Sequence, residues 1–229
     1  MRTLISHFFP NHPDASLYTV TDDTVRHDPP RLDQQFVRQL AEMDPIWAER
    51  GKAIQSYAQL EQSLCFLMET LGDMPKGVAP IIFYKITSAK ARAAIIDKML
   101  ARKYGHKYNL FWNAYLKSLH PIDTKRNEIV HWLSASVGKL NEDGKICAGV
   151  VLVPPNFHAY KLDSPRLRIS ELQQFSEKCE IYWRLCNTFC IVNHPDFSEE
   201  KADAWLHIFQ QPFLYPLPED HLLYKSLAT

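Results

Sequence analysis

The chain has 229 residues, and 26 Lys and Arg balance 26 Asp and Glu, so its formal net charge is zero. That length suits one hydrophobic core with an elaboration, and neutrality excludes a global field that would announce nucleic acid or membrane. No apolar run reaches the length needed to span a bilayer, and Pro10, His12, Pro13 and Asp14 break the N-terminus too early for a signal peptide.

Residues 1–44 are rich in Pro, Asp and His and predict an irregular arm with a short helix near 31–42. Asp44 and Pro45 are cap and first-position residue types, so a long amphipathic helix is expected over 45–72. Its stripe is Ile54, Tyr57, Leu60, Leu64, Leu67, Met68 and Leu71, with Gly72 as the stop. Glu61 falls inside that stripe, where a carboxylate is costly unless paired. It either salt-bridges locally at the stripe's edge or faces a functional group. A second long helix is expected over 76–104, through Ile82, Ile86, Ala89, Ala93, Ile96 and Leu100 to Gly105. A third is expected over 107–119, through Tyr108, Phe111, Trp112, Tyr115 and Leu119, whose spacing is that of a packed face.

Pro121 reads as a break, and Asp123 and Thr124 as caps of a fourth helix running to about Leu133. Beyond it, Asn141-Glu142-Asp143-Gly144 is a turn signal, and Ile146 to Val153 is a short β-branched run stopped by Pro154-Pro155. With Lys161-Leu162 and Leu167 to Ile169 as further candidates, 134–169 is expected to hold a small antiparallel hairpin or meander. A last long helix is expected over 170–193, capped by Ser170 and striped by Leu172, Phe175, Cys179, Tyr182, Cys186, Phe189 and Cys190. The extension 194–229, with six aromatics and four prolines, is expected to lie against the body or across a dimer.

The five Cys form no C-x-x-C pair, so neither a disulfide framework nor a zinc knuckle is suggested. The expectation is a reducing cytoplasm, with no metal and no cofactor. Cys186, Cys190 and His194 are four apart, but small core residues explain them better than metal ligands.

Charge is uneven. From Lys85 to Arg126 ten basic residues stand against two acidic ones, a net charge of +8, while 1–45 and 194–229 are net −3 and −4. The basic middle leads into Lys125-Arg126-Asn127-Glu128-Ile129-Val130-His131. Arg126 is always cationic and clamps phosphate with its fork. His131 transfers protons near neutral pH. Asn127 and His131, four apart, share a helix face. Arg126 and His131 are splayed by roughly 140° at about 100° per residue, a gap that a long side chain can close. If Arg126 and Asn127 lie in a first helical turn, the free N–H groups there favour an anion such as phosphate.

Arg126, four intervening residues beginning with Asn127, and His131 together resemble the R-x(4–6)-H motif of the HEPN superfamily. The expected helix order over about 46–193 is similar too: two long helices, a shorter third, then the motif helix. The resemblance implies a mainly α fold, a bundle of four to five helices, with the β insertion at about 134–169 lying after the motif helix. It implies a metal-independent endoribonuclease acting as a homodimer, with both motifs in one cleft. RNA would be cut by its own 2′-OH to a 2′,3′-cyclic phosphate and a 5′-OH. Arg126, His131, Asn127 and Glu61 would be catalytic, and Lys125, Lys85 and Arg92 would bind substrate. An antitoxin or other regulatory protein, in a defence or toxin–antitoxin setting, is the implied further partner; no membrane is. Some HEPN toxins carry a Tyr two residues after the His. Leu133 stands there in this chain, so control by modification of that Tyr does not carry over.

Two other readings stand beside this one. One is a non-catalytic HEPN-like module that binds RNA or protein. The other is plainly structural: Arg126 pairs with Glu128 or Asp123, and His131 is a satisfied core histidine.

Overall fold

A computed structural model describes residues 34–75, 77–140, 146–155, 165–194, 196–197 and 199–225. The irregular arm, the 141–144 turn and Lys161-Leu162 fall outside the described residues. The chain divides into a unit Met1–Arg38 and a unit Gln39–Thr229, and everything below concerns the second. It is mainly helical with one small sheet: α1 Gln34–Gly72, α2 Val78–Lys85, α3 Ala89–Tyr104, α4 Asn109–His131, β1 Leu133–Leu140, β2 Ile146–Val153, α5 Ile169–Val192, α6 Glu199–Phe209 and α7 Leu222–Lys225. No described helix is long and apolar enough to cross a membrane.

The core is built by the expected stripes of α4 and α5. Phe111, Trp112, Tyr115 and Leu119 face Leu172, Phe175, Cys179, Tyr182, Cys186 and Phe189, all buried. Tyr115 and Tyr182 meet at 4.8 Å between ring centroids, and Trp112 and Phe189 at 5.0 Å. Burial does not strand the two tyrosine tips, although Trp112 Nε1 is buried without a hydrogen-bond partner. The Tyr115 hydroxyl donates to the Tyr182 carbonyl at 2.8 Å, and the Tyr182 hydroxyl donates to Ser118 Oγ at 2.6 Å. The C-terminal extension closes this core: Phe209 and Phe213 lie 4.9 and 5.3 Å from the Phe111 ring. Cys186 and Cys190 are buried packing residues, and His194 is exposed.

Several expected boundaries are corrected. Pro45 does not start a helix; it lies inside α1, so the short helix and the long one are a single element. Tyr57, Leu60, Leu64, Leu67, Met68 and Leu71 are buried as expected, but Ala53 is buried in place of Ile54, which is 40 % exposed. The expected helix over 76–104 is two helices. Ile86 is extended, and Ser88 caps α3 by accepting from the Ala91 N–H at 3.3 Å. Thr87-Ser88, a pair of cap residue types inside an apolar repeat, was the signal for that break.

Pro121 does not break α4. The helix runs through it to His131 because its buried side continues on both sides of the proline, with Leu119 before and Ile122 and Ile129 after. An interior proline costs about 3 kcal/mol, and burying two isoleucines offsets it at roughly 1.5–3 kcal/mol each. Asp123 and Thr124 therefore cap nothing; the Thr124 hydroxyl donates to the His120 carbonyl at 3.1 Å within the helix.

The hairpin after the motif helix is present. Its second strand is Ile146–Val153 as expected, but its partner is Leu133–Leu140, paired antiparallel from Leu133↔Val153 to Leu140↔Ile146. Of the other expected strand residues, Leu167 adds one bridge, exchanging bonds of 2.8 and 2.9 Å with Leu152. The first strand went unread because Leu133-Ser-Ala-Ser-Val-Gly has small residues in place of a strong β pattern. α5 begins at Ile169, where Glu171 Oε2, rather than a Ser170 cap, accepts from the Arg168 N–H at 2.8 Å.

Candidate functional site

The Arg126–His131 stretch forms the last two turns of α4, and Trp132 leads directly into β1. This overturns the expected place of Arg126 and Asn127 in a first turn. The backbone groups free at this end are carbonyls, and the helix dipole there favours cations. An anion bound here is held by side chains alone. One of those carbonyls is already satisfied from another helix: Arg50 of α1 donates from Nη2 to the Val130 carbonyl at 2.7 Å, with its guanidinium 5.0 Å from the Trp47 ring centre. Sequence reasoning missed Arg50, since nothing local distinguishes it from a solvated helix residue.

Arg126 points toward α1. Its guanidinium carbon lies 5.2 Å from the centre of the Tyr57 ring, and Nη1 donates to Asn127 Oδ1 at 2.9 Å. The plainly structural reading of this residue is thereby corrected. Glu128 is held by Lys125, at 2.6 Å, and Asp123 by Tyr57, whose hydroxyl donates at 2.7 Å. His131 is exposed, not a core histidine, and no hydrogen bond or ion pair uses its ring among the described residues. Asn127 is exposed as well. Arg126 thus turns to α1 and to its neighbour Asn127, which is four residues from His131 and shares its helix face.

Glu61 takes a different place from the one expected. Its Oε1 sits 2.7 Å from Arg92 Nη2 of α3, with both side chains largely buried, and 3.4 Å from the Tyr57 hydroxyl. Neither Arg126 nor His131 is among its partners. A hydroxyl has one proton, and the shorter bond gives it to Asp123. Burial, then the Asp123 bond, then the Glu61 charge all push the Tyr57 hydroxyl pKa well upward, so it stays a donor. Arg92, expected to meet substrate, is committed to Glu61 and to the face of Phe83, 4.7 Å from its ring centre. The result is a line Arg92–Glu61–Tyr57–Asp123 joining α3, α1 and α4, with Arg126 resting on its aromatic member.

Lys125 is paired with Glu128 and half-buried. Lys85 is the exposed last residue of α2 and pairs with no acid among the described residues. Tyr57 and Arg50 are the two supports that the motif did not announce. Tyr57 had been visible only as a stripe residue, and its spacing of seven from Arg50 puts both on one face of α1. No group of three or more His, Cys, Asp or Glu side chains able to hold a metal ion occurs among the described residues.

Comparison with protein families, with curated proteins and with solved structures finds no match to this chain.

Proposed function

We propose that this protein is a metal-independent endoribonuclease whose reacting groups are Arg126, Asn127 and His131. The observation that carries the reading is a division of labour at the end of α4: Arg126 is braced by Tyr57 and Asn127, while His131 on the adjoining face is exposed and unengaged. A braced guanidinium suits a phosphate whose charge grows in the transition state. A free imidazole suits proton transfer.

Attack of a 2′-OH on its own phosphate needs one proton removed from the nucleophile and one delivered to the leaving 5′-oxygen. One chain supplies a single histidine at this site. The reading therefore includes a homodimer in which two copies of the α4 end share a cleft, one His131 as base and the other as acid. Glu61 acts at a distance in this scheme, by holding Tyr57 and Arg92, rather than on the reacting atoms.

RNA cleavage by the purified full chain in EDTA tests the proposal. Wild type should yield 2′,3′-cyclic phosphate and 5′-OH ends, and His131→Ala and Arg126→Ala should each be inactive. Adding excess His131→Ala protein to wild type should lower its activity if the site is shared, because a mixed dimer holds only one of the two imidazoles. Unchanged cleavage by the Arg126→Ala/His131→Ala protein would remove the ribonuclease reading. RNA binding by wild type without cleavage would replace it with the binding module.

A further inference from the structure

The exposed side of α4 carries a second pattern. Asn113, Lys117, His120, Thr124, Asn127 and His131 are all exposed. They recur at steps of four, three, four, three and four, which at about 100° per residue confines them to a strip roughly 80° wide and about 27 Å long. Beside the strip's middle, α3 and α4 leave a groove of about 260 Å³. Its floor is apolar and small-featured, made by Ala89, Ala93, Leu116 and Leu119. Its rim carries Lys90, Lys117 and His120. None of these three side chains pairs with an acid among the described residues. The two acids of α4 nearest the strip are already engaged, Asp123 by Tyr57 and Glu128 by Lys125. Asp97, the acidic residue of α3, lies seven positions beyond Lys90 and does not line the groove.

We propose that this groove is a second RNA subsite: Lys90, Lys117 and His120 hold a phosphate, the alanine-floored trough takes the attached base or ribose, and the α4 strip guides the strand to His131. The inference rests on the ribonuclease reading for the end of the track and deepens it. Its occupant is single-stranded RNA. A basic rim over an apolar floor matches an anionic backbone bearing flat bases, and two of the rim residues, Lys117 and His120, belong to the exposed strip that runs along α4 to His131. His120 and His131 are about 16 Å apart along the helix axis at ~1.5 Å per residue. That spans about five stacked nucleotides at ~3.4 Å each, so an RNA too short to bridge the interval cannot occupy the groove and reach His131 together.

The test is binding of a fluorescent 12-nucleotide 2′-O-methyl RNA, which cannot be cleaved, to the full chain at several salt concentrations. The double variant Lys90→Glu/Lys117→Glu is compared with Lys98→Glu/Arg102→Glu, which makes the same charge change at another surface of α3. All substituted residues are exposed, and thermal melts check folding. The groove variant should bind at least about tenfold more weakly, with a salt slope shallower by about 0.7 for the one phosphate held there. The control pair should stay within about twofold, because remote surface charges are screened beyond a Debye length. Equal weakening by the two pairs overturns the subsite, as does a wild-type protein that binds no RNA. His131→Ala separates the two claims: in that background the groove pair should weaken binding of the 2′-O-methyl RNA by the same factor as in wild type. Cleavage persisting in that variant would defeat the ribonuclease reading, leaving the subsite to be judged by the binding arm.

Discussion

Between Asn109 and Leu119, α4 buries Phe111, Trp112 and Tyr115 against α5 and the C-terminal extension, and Leu116 and Leu119 on the side toward α3. Between Ile122 and His131 the same helix buries only Ile122 and Ile129, and sets Asp123 and Arg126 against the Tyr57 side chain of α1. The first half is held by non-directional burial, which tolerates any well-packed shape. The second half is held by directional bonds among charged and polar groups, which cost desolvation yet fix where each atom sits. Stability and positioning are thus segregated along one helix, and substitutions in the two halves should fail in different ways.

The largest effect belongs to the aromatic half. Trp112→Ala empties a site that is 2 % exposed and should cost about 3–5 kcal/mol, read as a lowered denaturant midpoint. Activity per folded molecule should be preserved. In the polar half, Glu61→Ala leaves Arg92 buried and unpaired and should cost about 2–3 kcal/mol, somewhat below the range for a fully buried pair. Replacing both partners, as Glu61→Leu/Arg92→Leu, should cost less than Glu61→Ala alone in the same denaturation assay. A double variant no better than the single would mean that the pair is net stabilising and that the contrast between the halves is weaker than described.

Tyr57→Phe removes one charge-assisted hydrogen bond, about 1–2 kcal/mol, but keeps the ring under Arg126. Cleavage should survive it. Tyr57→Leu removes the ring as well and should depress RNA cleavage beyond its effect on stability. His131→Ala, at an exposed position, should change stability by less than about 0.5 kcal/mol while abolishing cleavage; comparing melts with rates would sharpen the segregation most directly.

The smallest effect is one of pH. Burial lowers the His221 pKa below its ordinary 6.5, with Asp220 opposing. The unfolded chain then binds this proton more readily than the folded one, so stability rises with pH and is lost as pH falls below about 6.5. His221→Gln should flatten the acid side of a melting-temperature profile.

The aromatic half was the legible one. Tyr108, Phe111, Trp112, Tyr115 and Leu119 announce a buried face by spacing alone, and the α5 stripe does the same. Burial needs only the right side chains at the right period. The strand Ile146–Val153 was legible for a similar reason, since a β-branched run between a turn signal and two prolines has few alternatives. The polar half was legible only as residue types. Arg126, Asn127 and His131 stood out, but Pro121 pointed to a helix start where the chain makes a helix end. The partners of Glu61 and Arg92 could not be read because they come from different helices.

The sequence by itself determined that the fold is mainly helical with a small hairpin, which faces of α4 and α5 are apolar, and that a cation, an amide and an imidazole lie within two turns of one another. Local chemistry and periodicity suffice for those. Only the tertiary structure decided that α4 continues through Pro121, because Ile122 and Ile129 have a core to enter. It also decided that Glu61 is spent on Arg92, that Tyr57 rather than an acid braces Arg126, and that Lys90 and Lys117 flank one groove. Each of these depends on a side chain supplied by a separate element, at a distance set by packing rather than by spacing along the chain.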